Sequence, residues 1–486
     1  MIQAFAPRLP RGCSWVMLVI AGMAVSAATS SGQQPAPAAP KADPAAKPAP
    51  TAAAAVAPDE AGVGTKVEKF TDPNAKRTLA IFDPIVYRGA PIRVAGERND
   101  LTRLQNMASR VENEDPAFIK RYIEYFAAEL SKRDNINALM GQPPNLPPNN
   151  PAARGLERAV DALTRPIIDA RANNNTTFLT NYTRALFESP LPKLLENNYF
   201  ARINAMIVLG MAGGTSPVAL DFYAGQLRIP DQVFGVKVWA ARGYTNAAQL
   251  GRKALEFSKA VDGAQALTDF LSSDPKMPFF VQYRVLEALG SIRVASGGRV
   301  GQKLDVASVV AGFVADPKAR PQTRAYAAWS LGMIRVAPQV APYNFTLAGN
   351  EVGDLAVSLG SKIVAEFDAD PANFIRKQDD AAGLTALLMF QVIPAVGGED
   401  GLADSGLLRS NHPDAIAAKP FLTKLDEKIR AVTREAYDLL REAAVNQKAK
   451  RNSLEAKLTE LKSLLAANQP KDRRLVPGGP LFAGRQ

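Results

Sequence analysis

Apolar residues recur at intervals of three and four along most of the chain after Leu101, which is the spacing of one face of an α-helix. The pattern is plainest over residues 116–133, where it forms a mainly aromatic stripe of Phe118, Tyr122, Tyr125, Phe126 and Leu130. We interpret this stripe as the side of a helix that faces the core. The same spacing predicts further helices over residues 152–171 and 176–187. These patterns predict an all-α protein.

Two later segments, residues 200–210 and 281–290, are apolar on nearly every side apart from one arginine each. A third segment, residues 322–332, places small and apolar residues at 325, 328, 329 and 332, on one helical face. A helix that is covered by neighbours on both sides has this composition. We therefore predict that these segments are inner helices of a layered array. Small residues among them would allow the next helix to approach closely.

Leucine followed by glycine closes four such segments, at Leu209-Gly210, Leu250-Gly251, Leu289-Gly290 and Leu331-Gly332. The glycines are nearly evenly spaced. Their period of about 40 residues, with helical patterning between them, is typical of a repeat made of two helices. Glycine at the end of a helix commonly adopts a left-handed conformation, so we predict that these glycines stop their helices.

Asp-Pro pairs mark the other end of the repeat. Asp274 and Asp316 each precede the glycine of the next Leu-Gly pair by the same number of residues. The next Asp-Pro aspartate is Asp370, and its distance from Asp316 is longer than the distance from Asp274 to Asp316. Because proline fixes the backbone and aspartate bonds local amides, each pair predicts the end of one helix and a turn to the next. The longer last interval predicts an insertion, which we place as a loop over residues 342–351.

These residues resemble the HEAT-repeat family of α-solenoids, whose repeats often carry an aspartate in the linking turn and an arginine at the start of the inner helix. Asp274 and Asp316 fit the first place, and Arg202, Arg284 and Arg324 fit the second. The resemblance implies a HEAT-like α-solenoid of about four to six helical-hairpin repeats over residues 175–396. It implies the fold and not the function, because such folds serve unrelated functions.

The three arginines allow two interpretations. They could line a concave basic stripe, or each could bond the turn of its own or the next repeat. We favour the second interpretation, because an inner-helix cation without a partner is costly.

The N-terminal part is predicted to be an export signal and a spacer. Residues 1–28 place two arginines, a short apolar run and small residues in the order of a secretory signal peptide, with cleavage near Ala27 or Ala28. An uncleaved anchor is the alternative; cleavage would leave no transmembrane segment. Residues 29–64 are rich in Ala and Pro and predict a disordered linker. Residues 65–174 predict a helical region, in which residues 78–87 form a short strand or an extended cover.

The C-terminal part divides into three predicted segments. Residues 397–413 predict a Gly-rich linker, residues 414–468 a long helix or a hairpin bent near residues 446–452, and residues 469–486 a disordered tail. Leucines at helical spacing in the long segment favour either a cap on the last repeat or a coiled coil that associates with a second copy.

The composition excludes several kinds of chemistry. Cys13 is the only cysteine and lies within the predicted signal, and His412 is the only histidine. Thiolate sites, multi-histidine metal sites and most catalysis by Ser-His or Cys-His pairs are therefore excluded. The acidic runs at 366–370 and 399–404 lack the spacing of a known calcium loop. We assign no catalytic, cofactor-binding or metal-ligating residue, and no cofactor.

The formal net charge of +11 is the global indication about partners. With an export signal it favours an acidic protein or an anionic envelope polymer over nucleic acid. The sequence therefore predicts an exported, periplasmic or secreted, non-enzymatic scaffold of the bacterial envelope that binds another protein. A basic solenoid that binds an anionic polymer and an enzyme with a carboxylate or lysine site remain the alternatives.

Overall fold

The computed structural model describes residues 72, 74–89, 94–139, 154–214, 216–251, 255–274, 277–298, 305–339, 342–374 and 378–482. All of them belong to one compact unit, Asp72–Gln486. The predicted signal peptide and the Ala/Pro-rich linker belong to the other unit, Met1–Thr71, and lie outside the described residues.

The described residues form helices without a β-strand, which confirms the all-α prediction. The α-helices in chain order are α1 Ala75–Leu79, α2 Val94–Ala108, α3 Pro116–Ser131, α4 Arg133–Leu139, α5 Gly155–Ala172, α6 Thr176–Glu188, α7 Tyr199–Ala212, α8 Pro217–Arg228, α9 Phe234–Gly251, α10 Phe257–Ser273, α11 Phe279–Ile292, α12 Asp305–Ala315, α13 Pro321–Met333, α14 Phe345–Ala369, α15 Asp379–Leu387, α16 Ile393–Gly397, α17 Pro413–Arg441 and α18 Ala444–Ala467. A π-helical turn, Leu388–Val392, joins α15 to α16.

The helices that the sequence predicts as inner lie side by side. Helix α7 packs against α9, α9 against α11 and α11 against α13, and we call these four helices the inner layer. Helices α8, α10 and α12 pack against the inner layer and form the outer layer. Helix α5 extends the inner layer before α7, and α16 extends it after α13.

Three of the four Leu-Gly glycines, Gly210, Gly290 and Gly332, serve helix packing and do not stop their helices, whereas α9 ends at Gly251. Helix α7 continues past Gly210, and α13 continues past Gly332. A Cβ atom at Gly210 would lie 2.5 Å from the carbonyl oxygen of Trp239, and one at Gly332 would lie 2.6 Å from Cα of Ala395. The prediction that a left-handed glycine stops the helix is therefore wrong at these two positions. Each glycine instead leaves room for a neighbouring helix to pack closely.

The predicted turns after the Asp-Pro aspartates are confirmed. Asp274 and Asp370 are the residues that end α10 and α14, and Asp316 follows α12 directly. The amide of Lys318 donates to Oδ1 of Asp316 over 2.9 Å, which is the local bond that an aspartate makes in a turn.

The insertion predicted as a loop over residues 342–351 is mostly helical. Helix α14 begins at Phe345 and has 25 residues, whereas α12 has 11. Asn344 caps it, since the amide of Leu347 donates to its Oδ1 over 2.9 Å. The longer interval from Asp316 to Asp370 thus reflects the length of α14.

The N-terminal region is helical as predicted, and no strand forms over residues 78–87. Phe118, Tyr122 and Phe126 are buried in α3, which confirms the aromatic stripe as core. Residues 81–88 form neither helix nor strand, and the amide of Ile85 donates to Oγ of Ser131 over 2.8 Å. Proline at position 84 removes a backbone donor that a sheet would need.

The C-terminal segment is a hairpin whose turn lies at Glu442 and Ala443, earlier than the predicted bend near residues 446–452. Both α17 and α18 pack against α14. Their apolar stripe is buried there, at Leu422, Leu425, Ile429, Val432, Leu454, Leu458, Leu461 and Leu465. Since these side chains already have partners within the chain, the contacts favour the cap over the coiled coil.

The two segments that the sequence predicts as a Gly-rich linker and a disordered tail both pack against distant helices. In the predicted linker, the amide of Gly406 donates to the carbonyl oxygen of Gly332 over 2.8 Å, and Arg293 donates to the carbonyl oxygen of Asp404 over 2.7 Å. In the predicted disordered tail, Leu475 and Phe482 are buried. The prediction of disorder is therefore wrong for residues 469–482, whereas the predicted linker joins α16 to α17 as a packed loop.

Candidate functional site

The three arginines of the resemblance bond within the protein and form no common basic stripe. Nε of Arg202 donates to the carbonyl oxygen of Asn197 over 2.5 Å, in the turn before its own helix. Nε of Arg324 donates to the carbonyl oxygen of Val314 over 2.9 Å, at the end of α12. Arg284 pairs with the Glu287 carboxylate. Two of the three thus brace turns, as the favoured interpretation expects.

Replacing Arg324 by alanine tests this bracing role. The residue is only 4% exposed, so Arg324→Ala would leave the buried Val314 carbonyl without this donor. We expect a loss of about 1–3 kcal/mol in the free energy of unfolding, measured by urea denaturation. Lys318→Ala, at an exposed cation in the same turn, is the matched control and should change stability by less than about 0.5 kcal/mol. Equal stability of the Arg324 variant and wild type would contradict the bracing role.

The inner layer leaves one side half-exposed, and aromatic and charged residues gather on it. On α11 the apolar residues Val281, Val285 and Leu289 are buried, while Tyr283 and Glu287 face outward one helical turn apart. The partly exposed side chains of α9, α11 and α13 include Trp239, Arg242, Tyr283, Arg284, Glu287, Tyr326 and Trp329. We call these seven residues the aromatic face.

Neighbouring helices of the aromatic face are joined by ring contacts. The rings of Tyr283 on α11 and Tyr326 on α13 stack with centroids 4.9 Å apart and planes at 27°. The guanidinium of Arg284 lies 5.0 Å from the centroid of the Tyr283 ring, within the range of a cation–π contact. Burial raises the pKa of Tyr326 above its ordinary value. These contacts give the face a rigid, flat centre.

A single carboxylate balances two arginines on this face. Glu287 on α11 accepts from Arg284 over 2.7 Å and from Arg242 on α9 over 2.9 Å. Burial acts against the charge of Arg284, yet the nearby Glu287 carboxylate holds its pKa above the ordinary value. The arrangement leaves one excess positive charge among these three residues.

The loop that follows α16 borders the aromatic face. Nε1 of Trp329 donates to Oε1 of Glu399 over 2.7 Å. The loop is fixed in turn, because the amide of Glu399 donates to Oγ of Ser405 over 2.8 Å and Ser405 is buried. The indole of Trp329 is therefore held in one orientation at the edge of the face.

The described residues assemble no metal centre around this face. No group of three His, Cys, Asp or Glu residues that could hold a metal ion occurs among them. Of the predicted acidic runs, Asp368 pairs with Arg451 and Glu399 bonds Trp329. His412 is buried at 2% exposure and caps α17, since the amide of Asp414 donates to its Nδ1 over 3.1 Å. The flat rings and paired charges of the face suit binding.

The sequence contained a signal for the aromatic face that the prediction did not use. Tyr283 follows Asp274 at nearly the same interval as Tyr326 follows Asp316, so tyrosine recurs at almost the same place in two repeats. Trp239 and Trp329 could not be placed in this way, because their packing depends on Gly210 and Gly290 of the preceding inner helix.

No family model, curated protein or solved structure matches this chain.

Proposed function

We propose that the protein is a HEAT-like α-solenoid that acts as a non-enzymatic scaffold and binds another protein across the aromatic face. The observation that carries the proposal is the stacked pair of Tyr283 and Tyr326, flanked by Trp239 and Trp329 on the half-exposed side of the inner layer. The side-by-side packing of α7, α9, α11 and α13, with α8, α10 and α12 on the other side, supports the solenoid.

The composition of the face supports a protein as the partner. Tryptophan, tyrosine and arginine are the residues that contribute most to binding at protein interfaces, where they lie in rigid and nearly desolvated surroundings. The ring stack and the Glu287 bridge hold Tyr283, Arg242 and Arg284 in place before binding, which lowers the entropic cost of association. An anionic polymer would call for unpaired cations, whereas both arginines here share a carboxylate.

The proposed location is the periplasm or the outside of a bacterial cell. This part rests on the N-terminal segment 1–28, whose charges, apolar run and small side chains have the order of a signal peptide. The partner would accordingly be another envelope or secreted protein.

Paired substitutions on the aromatic face test the proposal. Tyr283→Ala combined with Tyr326→Ala removes the ring stack from a half-exposed surface. We expect at least a ten-fold loss of co-purifying partner from an envelope extract, measured by quantitative mass spectrometry of the captured proteins. The helical content in circular dichroism should stay unchanged.

Phe257→Ala on the outer layer is the matched control, because Phe257 is an aromatic residue that is 75% exposed on α10. Its captured proteins should equal those of wild type. Capture that is insensitive to the tyrosine pair, or that is lost only in the Phe257 variant, would refute the assignment of the aromatic face.

A further inference from the structure

A cavity of about 400 Å³ lies where three segments of the protein meet. The first segment leads into α14 over residues 342–346, the second is the start of α17, and the third is the C-terminal tail over residues 472–477. Pockets that hold small ligands usually have volumes of roughly 300–1,000 Å³, so the cavity is large enough for one. None of the seven residues of the aromatic face lines it, so it is a separate candidate site.

The two residues before α14 hold the other two walls of the cavity in place. The amide of Tyr343 donates to Oδ2 of Asp414 over 3.0 Å, which joins this segment to α17. The amide of Asn344 donates to the carbonyl oxygen of Leu475 over 2.8 Å, and its Nδ2 donates to the carbonyl oxygen of Asp472 over 2.8 Å. These two bonds join the segment to the tail. The walls are therefore fixed before a ligand enters, which lowers the entropic cost of binding.

Two opposite charges line the cavity without pairing with each other. The Asp414 carboxylate comes from α17 and the Arg474 guanidinium from the tail, and no ion pair between them occurs in the described part of the chain. Arg474 lies 4.0 Å from Oδ1 of Asp472, and its side chain is 42% exposed. Asp414 is 45% exposed, and its Oδ1 has no hydrogen-bond partner among the described residues. Both groups therefore keep hydrogen-bonding capacity for a ligand.

A buried histidine behind the cavity is incompletely bonded. His412 is 2% exposed, its ring centroid lies 5.5 Å from that of Phe345, and its Nδ1 lies 3.7 Å from Oδ2 of Asp414. Phe345 and Asp414 both line the cavity. Because Nδ1 accepts the amide of Asp414, the ring proton lies on Nε2, and this buried atom has no hydrogen-bond partner among the described residues. Buried polar atoms without a partner are rare in folded proteins, so this donor is an independent sign that a ligand completes the corner.

We propose that the cavity binds a short peptide with free amino and carboxyl ends. The ammonium group of the peptide pairs with Asp414 and its carboxylate with Arg474, which can donate two parallel hydrogen bonds to a carboxylate. The side chains of the peptide contact the apolar part of the lining, which includes Phe345, Ala418, Leu475 and Pro477.

The separation of the two charges favours a peptide over a single amino acid. Asp414 and Arg474 are too far apart to pair directly, so one ligand that satisfies both must span the space between them. The charged ends of a dipeptide lie farther apart than the two charges of a free amino acid. A ligand with only one charge would leave either Asp414 or Arg474 without its partner.

Isothermal titration calorimetry of the purified full chain with the dipeptide leucyl-leucine, at up to about 10 mM peptide, tests the proposal. Saturable binding to one site per chain is expected. N-acetyl-leucyl-leucine lacks the ammonium group and leucyl-leucine amide lacks the carboxylate, so each should bind at least ten-fold more weakly. Free leucine should also bind at least ten-fold more weakly, because it does not span the two charges.

Two substitutions assign the ends of the peptide to their residues. Arg474→Gln should weaken leucyl-leucine binding at least ten-fold and abolish the difference between leucyl-leucine and its amide. Asp414→Asn should likewise abolish the difference between leucyl-leucine and its acetylated form. Lys471→Gln is the matched control, because Lys471 is an exposed cation of the same tail that does not line the cavity. It should bind leucyl-leucine like wild type.

Four results would overturn the proposal. They are no saturable binding of leucyl-leucine, equal binding of the dipeptide and both blocked forms, equal losses in the Arg474 and Lys471 variants, and binding of free leucine as tight as that of the dipeptide. The blocked peptides probe the unaltered protein, so the test stands even if a substitution disturbs the fold.

Discussion

A chain truncated after His412 is expected to aggregate or to melt far below wild type, because the C-terminal hairpin covers α14. Glycines at positions 349, 353 and 360 let α17 and α18 approach α14 closely: Cβ atoms there would lie 2.8 Å from Leu422, 2.6 Å from Leu465 and 2.6 Å from Leu458. These leucines are buried. At about 1.5–3 kcal/mol for each buried leucine, the hairpin contributes an energy comparable with the total stability of a domain.

The measurement is differential scanning fluorimetry combined with light scattering. Removal of residues 483–486 alone is the control, because it keeps the buried Leu475 and Phe482. A graded version replaces Leu425 by alanine in the full chain, which should cost about 2–5 kcal/mol. Tyr437→Ala, at a position 40% exposed on the same helix, should cost much less.

A monomeric truncated chain with the melting temperature of wild type would contradict the capping role. It would restore the alternative from the sequence, in which the C-terminal helix recruits a partner or a second copy.

The second large effect is expected at Gly332. Helix α16 approaches so closely that a Cβ there would clash with the backbone of Ala395, including its Cα at 2.6 Å. Backbone cannot rotate away as a side chain can, so Gly332→Ala should lower the free energy of unfolding by about 3 kcal/mol. This value is the net loss, after subtraction of the up to about 1 kcal/mol by which alanine stabilises a helix interior relative to glycine.

Gly225→Ala isolates the helix propensity, because that glycine is also within a helix but has open space around its Cβ position. We expect this variant to be as stable as wild type or up to about 1 kcal/mol more stable in urea denaturation. If Gly332→Ala matched Gly225→Ala, the close packing of α13 against α16 would be refuted.

Local chemistry explains which parts of the fold the sequence could predict. Asp316 ends a helix through a bond to the nearby amide of Lys318, so Asp-Pro marked the turn correctly. The apolar stripe around Tyr122 identified a core helix, because its spacing is a property of one helix alone. The role of Gly332 was missed because its partner, Ala395, lies far along the chain, beyond α14 and α15. A glycine that ends a helix and a glycine that admits a neighbour look alike in sequence.

The aromatic face was only partly predictable for the same reason. Tyr283 and Tyr326 recur with the repeat, yet their stack forms only because α11 and α13 lie side by side. Glu287 bridges Arg284 on its own helix to Arg242 on another, and only the first of these contacts has a helical spacing. The loop that holds Trp329 was predicted as a linker from its glycines. Its contacts with Gly332 and Arg293 could not be predicted, because these residues lie far from it along the chain.

Site-specific photo-crosslinking tests the central claim, that the aromatic face binds a protein partner, most directly. A photoreactive phenylalanine derivative replaces Tyr326 on the aromatic face, or Phe257 on the outer layer, in cells that produce the protein. The account predicts a discrete adduct with another protein from position 326 and none from position 257. Absence of an adduct at position 326, or equal adducts at both positions, would contradict it.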